Sequence, residues 1–241
     1  MGLGPAHGWH TLAITPYDDQ LRASIGRHLD AHGRIAHPDD GRPHAAVAIV
    51  LVDSVPGEAP DLADPGDAPE HGMEALAGGA AFLLSRRASR LSRHAGQWAL
   101  PGGRIDEGED VVTAALRELD EEVGLRLDES HVLGLLDDYP TRSGFVITPV
   151  VIWAGGPVRL APHAGEVRGV YRIGLGELAR DDSPRFVDIP ESDKPVVQIP
   201  LGEFLLHAPT AAIMVQFRRV GLEGDVDARV IDLEQPVWAW K

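Results

Sequence analysis

Glu118, Glu121 and Glu122 fall within one five-residue stretch, Glu118-Leu119-Asp120-Glu121-Glu122. In a helix, spacing of i, i+3 and i+4 places all three carboxylates on one face within a single turn. Like charges so placed destabilise an isolated helix by roughly 0.2–0.5 kcal/mol per pair, so a cation should offset them. Clustered carboxylate oxygens suit a hard ion such as Mg²⁺, which keeps several waters and binds through one or two carboxylates plus substrate phosphates. A solvated acidic helix face would show the same composition, so the glutamates alone leave both readings open.

The surrounding residues supply elements that could position such a site. Val112, Ala115, Leu116, Leu119 and Val123 recur at helical spacing on the other side of the segment and should face a core. Gly124 is the expected C-terminal stop. Ahead of the helix, Gly102, Gly103 and Gly108 leave room for a tight loop whose backbone can approach a phosphate. From Ser85 to Arg104 the chain carries Arg86, Arg87, Arg90, Arg93 and Arg104 with no acidic residue, which gives an anionic substrate a docking place beside the cation.

The full spacing is more specific than any of its parts. It runs Gly103, five residues, Glu109, seven residues, Arg117-Glu118, an aliphatic, one residue, Glu121-Glu122, one residue, Gly124 and an aliphatic. This resembles the signature box of the Nudix hydrolases at every defined position. The resemblance implies an α/β fold, a Nudix-type α/β/α sandwich with a mixed central sheet, in which the box forms a loop and a helix. It also implies cleavage of a diphosphate linked to another moiety, with Mg²⁺ or Mn²⁺ as cofactor. On this likeness Glu118 and Glu122 are the main metal ligands. Glu121 is a third ligand or the base that deprotonates water, and Glu109 is a ligand or a supporting group. Arg117 pairs with a box carboxylate and fixes its orientation. The rival from another class, a Nudix-fold binding module without turnover, is usually signalled by a broken box, and here every box carboxylate is present.

Upstream, Leu83-Leu84-Ser85-Arg86-Arg87-Ala88, then Gly96, then Leu100-Pro101-Gly102-Gly103 resemble the extra signature of the coenzyme A diphosphatase branch of that family. Arg87, Ala88, Gly96 and Pro101 are in register. Ser85 stands for a Thr, Leu100 for a Phe, and Ser92 for an Arg, with Arg90 and Arg93 on either side. Ser143 to Val150 and Glu166-Val167 carry the same likeness. It implies a small nucleotide-diphosphate substrate, coenzyme A or a derivative, bound by Arg87, Arg90, Arg93 and the backbone at Gly102 and Gly103. ADP-ribose, a dinucleotide or a nucleotide sugar are the alternatives. A homodimer is compatible with this reading.

Bulk composition narrows the rest. With 37 acidic and 22 basic residues the formal net charge is −15, which disfavours non-specific nucleic-acid binding. There are no cysteines, which excludes disulfides and thiolate metal sites and is compatible with a reducing cytoplasmic location. No apolar run is long enough to span a membrane, and no basic-then-apolar leader is expected at the N-terminus.

Three parts are expected along the chain. Residues 1–40 form a loose arm and a helix opened by Asp18, residues 41–225 the catalytic domain, and residues 226–241 an extension with a possible edge strand. His28 and His32, at i and i+4, read as surface histidines without a companion ligand. Strands are expected at His44–Val52, Ala80–Arg87, Gln97–Leu100, Val132–Asp138, Phe145–Ala154, Val158–Leu160, Gly165–Ile173 and Val196–Ile199. Short helices are expected at Gly174–Arg180 and Thr210–Leu222, and a loop at Asp181–Glu191. Between the first two strands, residues 55–79 carry six acidic residues, four prolines and no Lys or Arg. They read as a flexible acidic insertion joining neighbouring strands.

Overall fold

A computed structural model describes residues 14–88 and 96–240. The first helix, α1 (Asp19–Ala31), is capped by Asp18, whose carboxylate accepts from the Leu21 amide at 2.8 Å. Then come β1 (His44–Ser54), β2 (Asp61–Leu62), β3 (Gly79–Arg87), β4 (Trp98–Ala99) and β5 (Gly102–Arg104). The box helix α2 (Val111–Val123) is followed by β6 (Val132–Leu135), β7 (Tyr139–Pro140), β8 (Val146–Trp153) and β9 (Val167–Gly174). The chain ends with β10 (Arg185–Ile189), β11 (Ser192–Leu201), β12 (Phe204–His207) and α3 (Thr210–Phe217).

The central sheet is mixed, in the order β2-β9-β3-β1-β8-β6, with β4 beside β3, β5 beside β1 and β7 beside β8. β1 runs parallel to β8 and antiparallel to β3 and β5. Its side chains alternate between two cores, as the pleat requires. Ala46, Ala48, Val50 and Val52 meet α2, and Ile49 and Leu51 join the core that α1 and α3 cover. Helices thus lie on both faces, giving the α/β sandwich. No helix among the described residues is long and apolar enough to cross a membrane.

α2 forms where its pattern places it. Asp110 accepts from the Val112 and Thr113 amides at 2.9 Å each and closes the N-terminus. Gly124 ends the helix in the left-handed region at φ 68°, and its amide donates to the Asp120 carbonyl at 2.9 Å. Ala114, Ala115, Leu119 and Val123 are buried beneath it.

The other face departs from the sequence expectations. A second sheet, β10-β11-β12, packs there and sends Val197, Ile199, Leu201 and Leu206 into the core. Residues 181–191, expected as a loop, include β10, which pairs with β11. Residues 158–160 form no strand; Val158 and Leu160 pack on the α2-side core from a loop. Residues 227–240 form no edge strand either. Their pairing is one bridge between Val196 and Glu234, and Pro236, which has no amide to donate, precedes a 3₁₀ turn at Val237–Ala239.

Ile25 and Leu29 of α1 share one of the two cores with Ala228 and Val230 near the C-terminus. His32 is accordingly buried. Its Nδ1 lies 2.6 Å from the Val226 carbonyl and its Nε2 3.2 Å from Asp137. His28 Nδ1 lies 2.8 Å from the Gly221 carbonyl.

The acidic insertion does join β1 to the neighbouring β3, yet it is anchored rather than loose. β2 pairs with β9, Met73 is fully buried, and Leu76 is nearly so. Its carboxylates are counter-ions for sheet arginines. Glu58 and Asp61 hold Arg172, and Glu70 holds Arg86 and Arg168. Composition alone counted these charges as solvated.

Candidate active site

Four glutamates of the box and two arginines meet where α2 passes under the β4–β5 loop. Gly102 and Gly103 begin β5 and pair with Val47 and Ala46 of β1. The Gly102 amide donates to Glu122 Oε2 at 3.1 Å. A Cβ at Gly102 would strike the Ala46 carbonyl, and one at Gly103 would strike the Glu118 carboxylate. At position 102 only glycine allows the loop this close to β1, and at 103 a side chain would push the Glu118 carboxylate aside.

Glu122 is only 3% exposed, and burial pushes its pKa up to about 7. The Gly102 amide and the Arg87 charge work against that rise, while Glu118 and Glu166 add to it. Arg87 Nη1 stands 3.5 Å from Glu122 Oε1, and its Nε is buried without a hydrogen-bond partner among the described residues. Burial also raises the pKa of Glu118, partly offset by Arg117.

Arg117 ties the remaining carboxylates together. It donates to Glu109 through Nε and Nη2 at 3.0 Å each, and through Nη1 to Glu118 and Glu121 at 2.9 Å each. These partners hold its pKa above the usual arginine value and that of Glu109 below the usual carboxylate range. Glu109 also accepts from the Asp106 amide at 3.1 Å. Glu121 is the most exposed of the four, its side chain 54% accessible.

The structure therefore brings Glu109, Arg117, Glu118, Glu121, Glu122, Arg87, Gly102 and Gly103 together. Arg90 and Arg93 lie outside the described residues. One contributor was absent from the expected set. Glu166 precedes β9 on a loop pinned to α2 by the Ala161 amide on the Val123 carbonyl and the His163 amide on the Glu122 carbonyl, at 2.8 and 2.9 Å. The signal was the likeness noted at Glu166-Val167, read there for substrate rather than for charge.

The donor chemistry fits a divalent hard cation. Glu118 and Glu122 are desolvated carboxylates whose charges repel, and their raised pKa values show that the nearby arginines leave part of this cost unmet. As the side chains stand, no three His, Asp or Glu groups among the described residues form a ready-made cage. Mg²⁺ seldom needs one, because two carboxylates, waters and substrate phosphates complete its shell.

Residues 75–181 match the family model described as the NUDIX domain. It is 38% identical over 109 residues to a Yersinia enterocolitica protein described as the uncharacterized Nudix hydrolase NudL, covering 45% of this chain and 56% of that one. A Yersinia pestis protein of the same description is 40% identical over 97 residues, 40% of this chain and 49% of its own. The chain spans about half the length of these curated relatives. A crystal structure of a MutT/nudix family protein from Enterococcus faecalis superposes with a TM-score of 0.49 at 18% identity, covering 76% of this chain and 64% of that one.

Proposed function

We propose that the protein is a diphosphatase that uses Mg²⁺ or Mn²⁺ to direct water onto a phosphorus of coenzyme A or a derivative. The observation that carries the reading is Glu122, a buried carboxylate with a pKa near 7, seated on the Gly102 amide beside Arg87. Glu118 and Glu122 would hold the ion. Bound there, it would neutralise charge on the diphosphate and lower the pKa of a coordinated water.

The chain's own groups do the positioning. Arg117 locks Glu109, Glu118 and Glu121 into one hydrogen-bonded cluster, so Glu118 is presented in a single orientation. Gly103 lets the substrate and the loop approach that carboxylate closely. Arg87, whose buried Nε has no hydrogen-bond partner among the described residues, is disposed to take a phosphate oxygen in a charge-assisted hydrogen bond. Glu121 and Glu166 are the carboxylates left to accept the proton of the attacking water.

The assignment to coenzyme A rests on the sequence likeness around Arg87, since a fold of this kind leaves the substrate open. The test is a substrate panel with identified products: coenzyme A, ADP-ribose, diadenosine polyphosphates and oxidised nucleotides, each with Mg²⁺ and with Mn²⁺. Metal-dependent release of adenosine 3′,5′-bisphosphate from coenzyme A, at a higher kcat/KM than any other cleavage, is the expected result. Preference for ADP-ribose or a dinucleotide would move the substrate while keeping the chemistry. No metal-dependent cleavage of any diphosphate would remove the hydrolase reading.

A further inference from the structure

Arg86 and Arg87 are neighbours on β3, but the pleat sends them to different partners. Arg87 reaches Glu122 of the box. Arg86 lies across the Trp98 ring, its guanidinium carbon 4.9 Å from the ring centre and 5.6 Å from that of Phe204. Its Nε donates to Glu70 at 3.1 Å, and both Nη groups are without a hydrogen-bond partner among the described residues.

Glu70 belongs to the acidic insertion and lies ahead of the matched NUDIX segment, which begins at residue 75. It is itself held in place. Its amide donates to the Tyr171 hydroxyl at 2.8 Å, and Tyr171 meets the Trp98 ring edge-on at 5.0 Å. Glu70, Tyr171, Trp98 and Arg86 therefore form a closed set of contacts. It fixes the guanidinium through its Nε and its flat side and leaves the Nη edge free. With that edge arginine can take an oxyanion through two parallel hydrogen bonds.

Arg86 and Trp98 line a groove of about 530 Å³ that also takes in Arg87, Gly102 and Gly103. That is the size of a small-ligand site. The lining carries Arg86, Arg87 and Arg104 and no Asp or Glu among the described residues, on a chain of formal net charge −15. A cleft lined by one sign of charge concentrates ligands of the other. Trp98 Nε1 is also buried without a partner among the described residues, so the lining holds an unmet donor as well as unmet charge. The diphosphate beside Arg87 accounts for one oxyanion. The free edge of Arg86 calls for another.

We propose that Arg86 binds a second oxyanion of the substrate, a phosphate monoester remote from the scissile diphosphate, and that Glu70 is its positioning residue. A monoester brings nearly two negative charges and three acceptor oxygens, which suits the fork. This deepens the diphosphatase reading and rests on it for the place of the diphosphate.

The test uses two substrate pairs that differ by one phosphate monoester: coenzyme A with dephospho-coenzyme A, and 2′-phospho-ADP-ribose with ADP-ribose. The readout is the ratio of kcat/KM within each pair, for the full chain with Mg²⁺. In at least one pair the phosphorylated member should be favoured roughly ten- to a hundredfold, mainly through KM. Arg86→Ala should bring that ratio close to one. Arg86→Lys, which keeps a cation without the fork, should also lower it and serves if the alanine variant folds poorly. Glu70→Ala should lower the ratio, and Glu70→Gln, which keeps an acceptor for Nε, should retain most of it. A merely structural role would lower both members of a pair alike and leave the ratio unchanged. No preference in either pair, or a preference that survives both Arg86 variants, overturns the proposal, and a ratio unchanged in Glu70→Ala overturns the positioning role. If only the ADP-ribose pair is cleaved, the coenzyme A reading fails and the proposal is judged on that pair. If nothing is cleaved, the hydrolase reading fails, and the four compounds are titrated calorimetrically with Mg²⁺ present. Tighter binding of a phosphorylated member that is lost in Arg86→Ala supports the proposal, and equal affinity or no binding overturns it.

Discussion

The two faces of the central sheet bury similar side chains but are held by different kinds of contact. On the α2 face, the Asp110 cap, the Gly124 stop and the Leu119–Val123 stripe lie within one short segment. On the opposite face, α1 is fastened to Gly221 and Val226, partners 193 and 194 residues away. The first face carries carboxylates at a cost in desolvation. The second ties its buried carboxylates, Asp137 among them, into contacts between the chain's distant parts. Activity and stability should therefore separate by face.

The largest expected effect is on the α2 face. Glu122→Gln should lower turnover of the best substrate by at least roughly a thousandfold while leaving cooperative unfolding intact. Near-normal turnover in the folded variant would remove Glu122 from the ion site and with it the contrast between faces.

The mirror experiment is Met73→Ala, on the other face. A fully buried methionine cut to alanine should cost about 2–5 kcal/mol in urea unfolding, with kcat little changed. A negligible cost would show that residues 55–79 are loosely held after all.

Arg87 tests the boundary between the faces. Arg87→Ala should lower kcat/KM for coenzyme A by roughly ten- to a hundredfold, the value of one charge-assisted bond. Dephospho-coenzyme A separates its two candidate partners. A much smaller loss on that substrate assigns Arg87 to the 3′-phosphate, an equal loss assigns it to the diphosphate, and no loss on either removes it from the site.

The last effect is a pH dependence. Glu122 holds its proton more tightly folded, with a pKa near 7, than unfolded, near 4.5. Its contribution to stability is therefore full below about pH 4.5 and is lost as pH rises through 7. In the metal-free protein a rise from 4.5 to about 7 corresponds to a loss on the order of 3 kcal/mol across that interval. Mg²⁺ should restore it at pH 8 and have little effect at pH 5, read by thermal unfolding at each pH. Glu122→Gln should remove both trends.

What could be read from the sequence follows the same division. The box helix and its Gly124 stop were legible because spacing along one helix fixes them, whereas its Asp110 cap was not read in advance. β1, β3, β8 and β9 were legible as apolar runs. The acidic insertion was misjudged because its counter-ions, Arg86, Arg168 and Arg172, belong to strands outside it. β10 was missed because it is almost wholly exposed and shows no buried alternation. His32 looked like surface because the chain that covers it comes from residues 226–229. Local pattern cannot show a layer supplied from far along the chain.

The long reach of α1 also has a consequence for synthesis. A thirteen-residue helix is marginal alone, and α1 finds its carbonyl partners only at residues 221 and 226. At roughly 5–20 residues per second the ribosome needs about 10–40 s to deliver them. During that interval the apolar side of α1, with Ile25 and Leu29, has no finished surface to dock on. The box helix, by contrast, emerges with its own cap and stop, and its strand β1 is already made. The nascent chain should therefore organise the chemical face first and become resistant to proteolysis only once Gly221 and Val226 have left the ribosome.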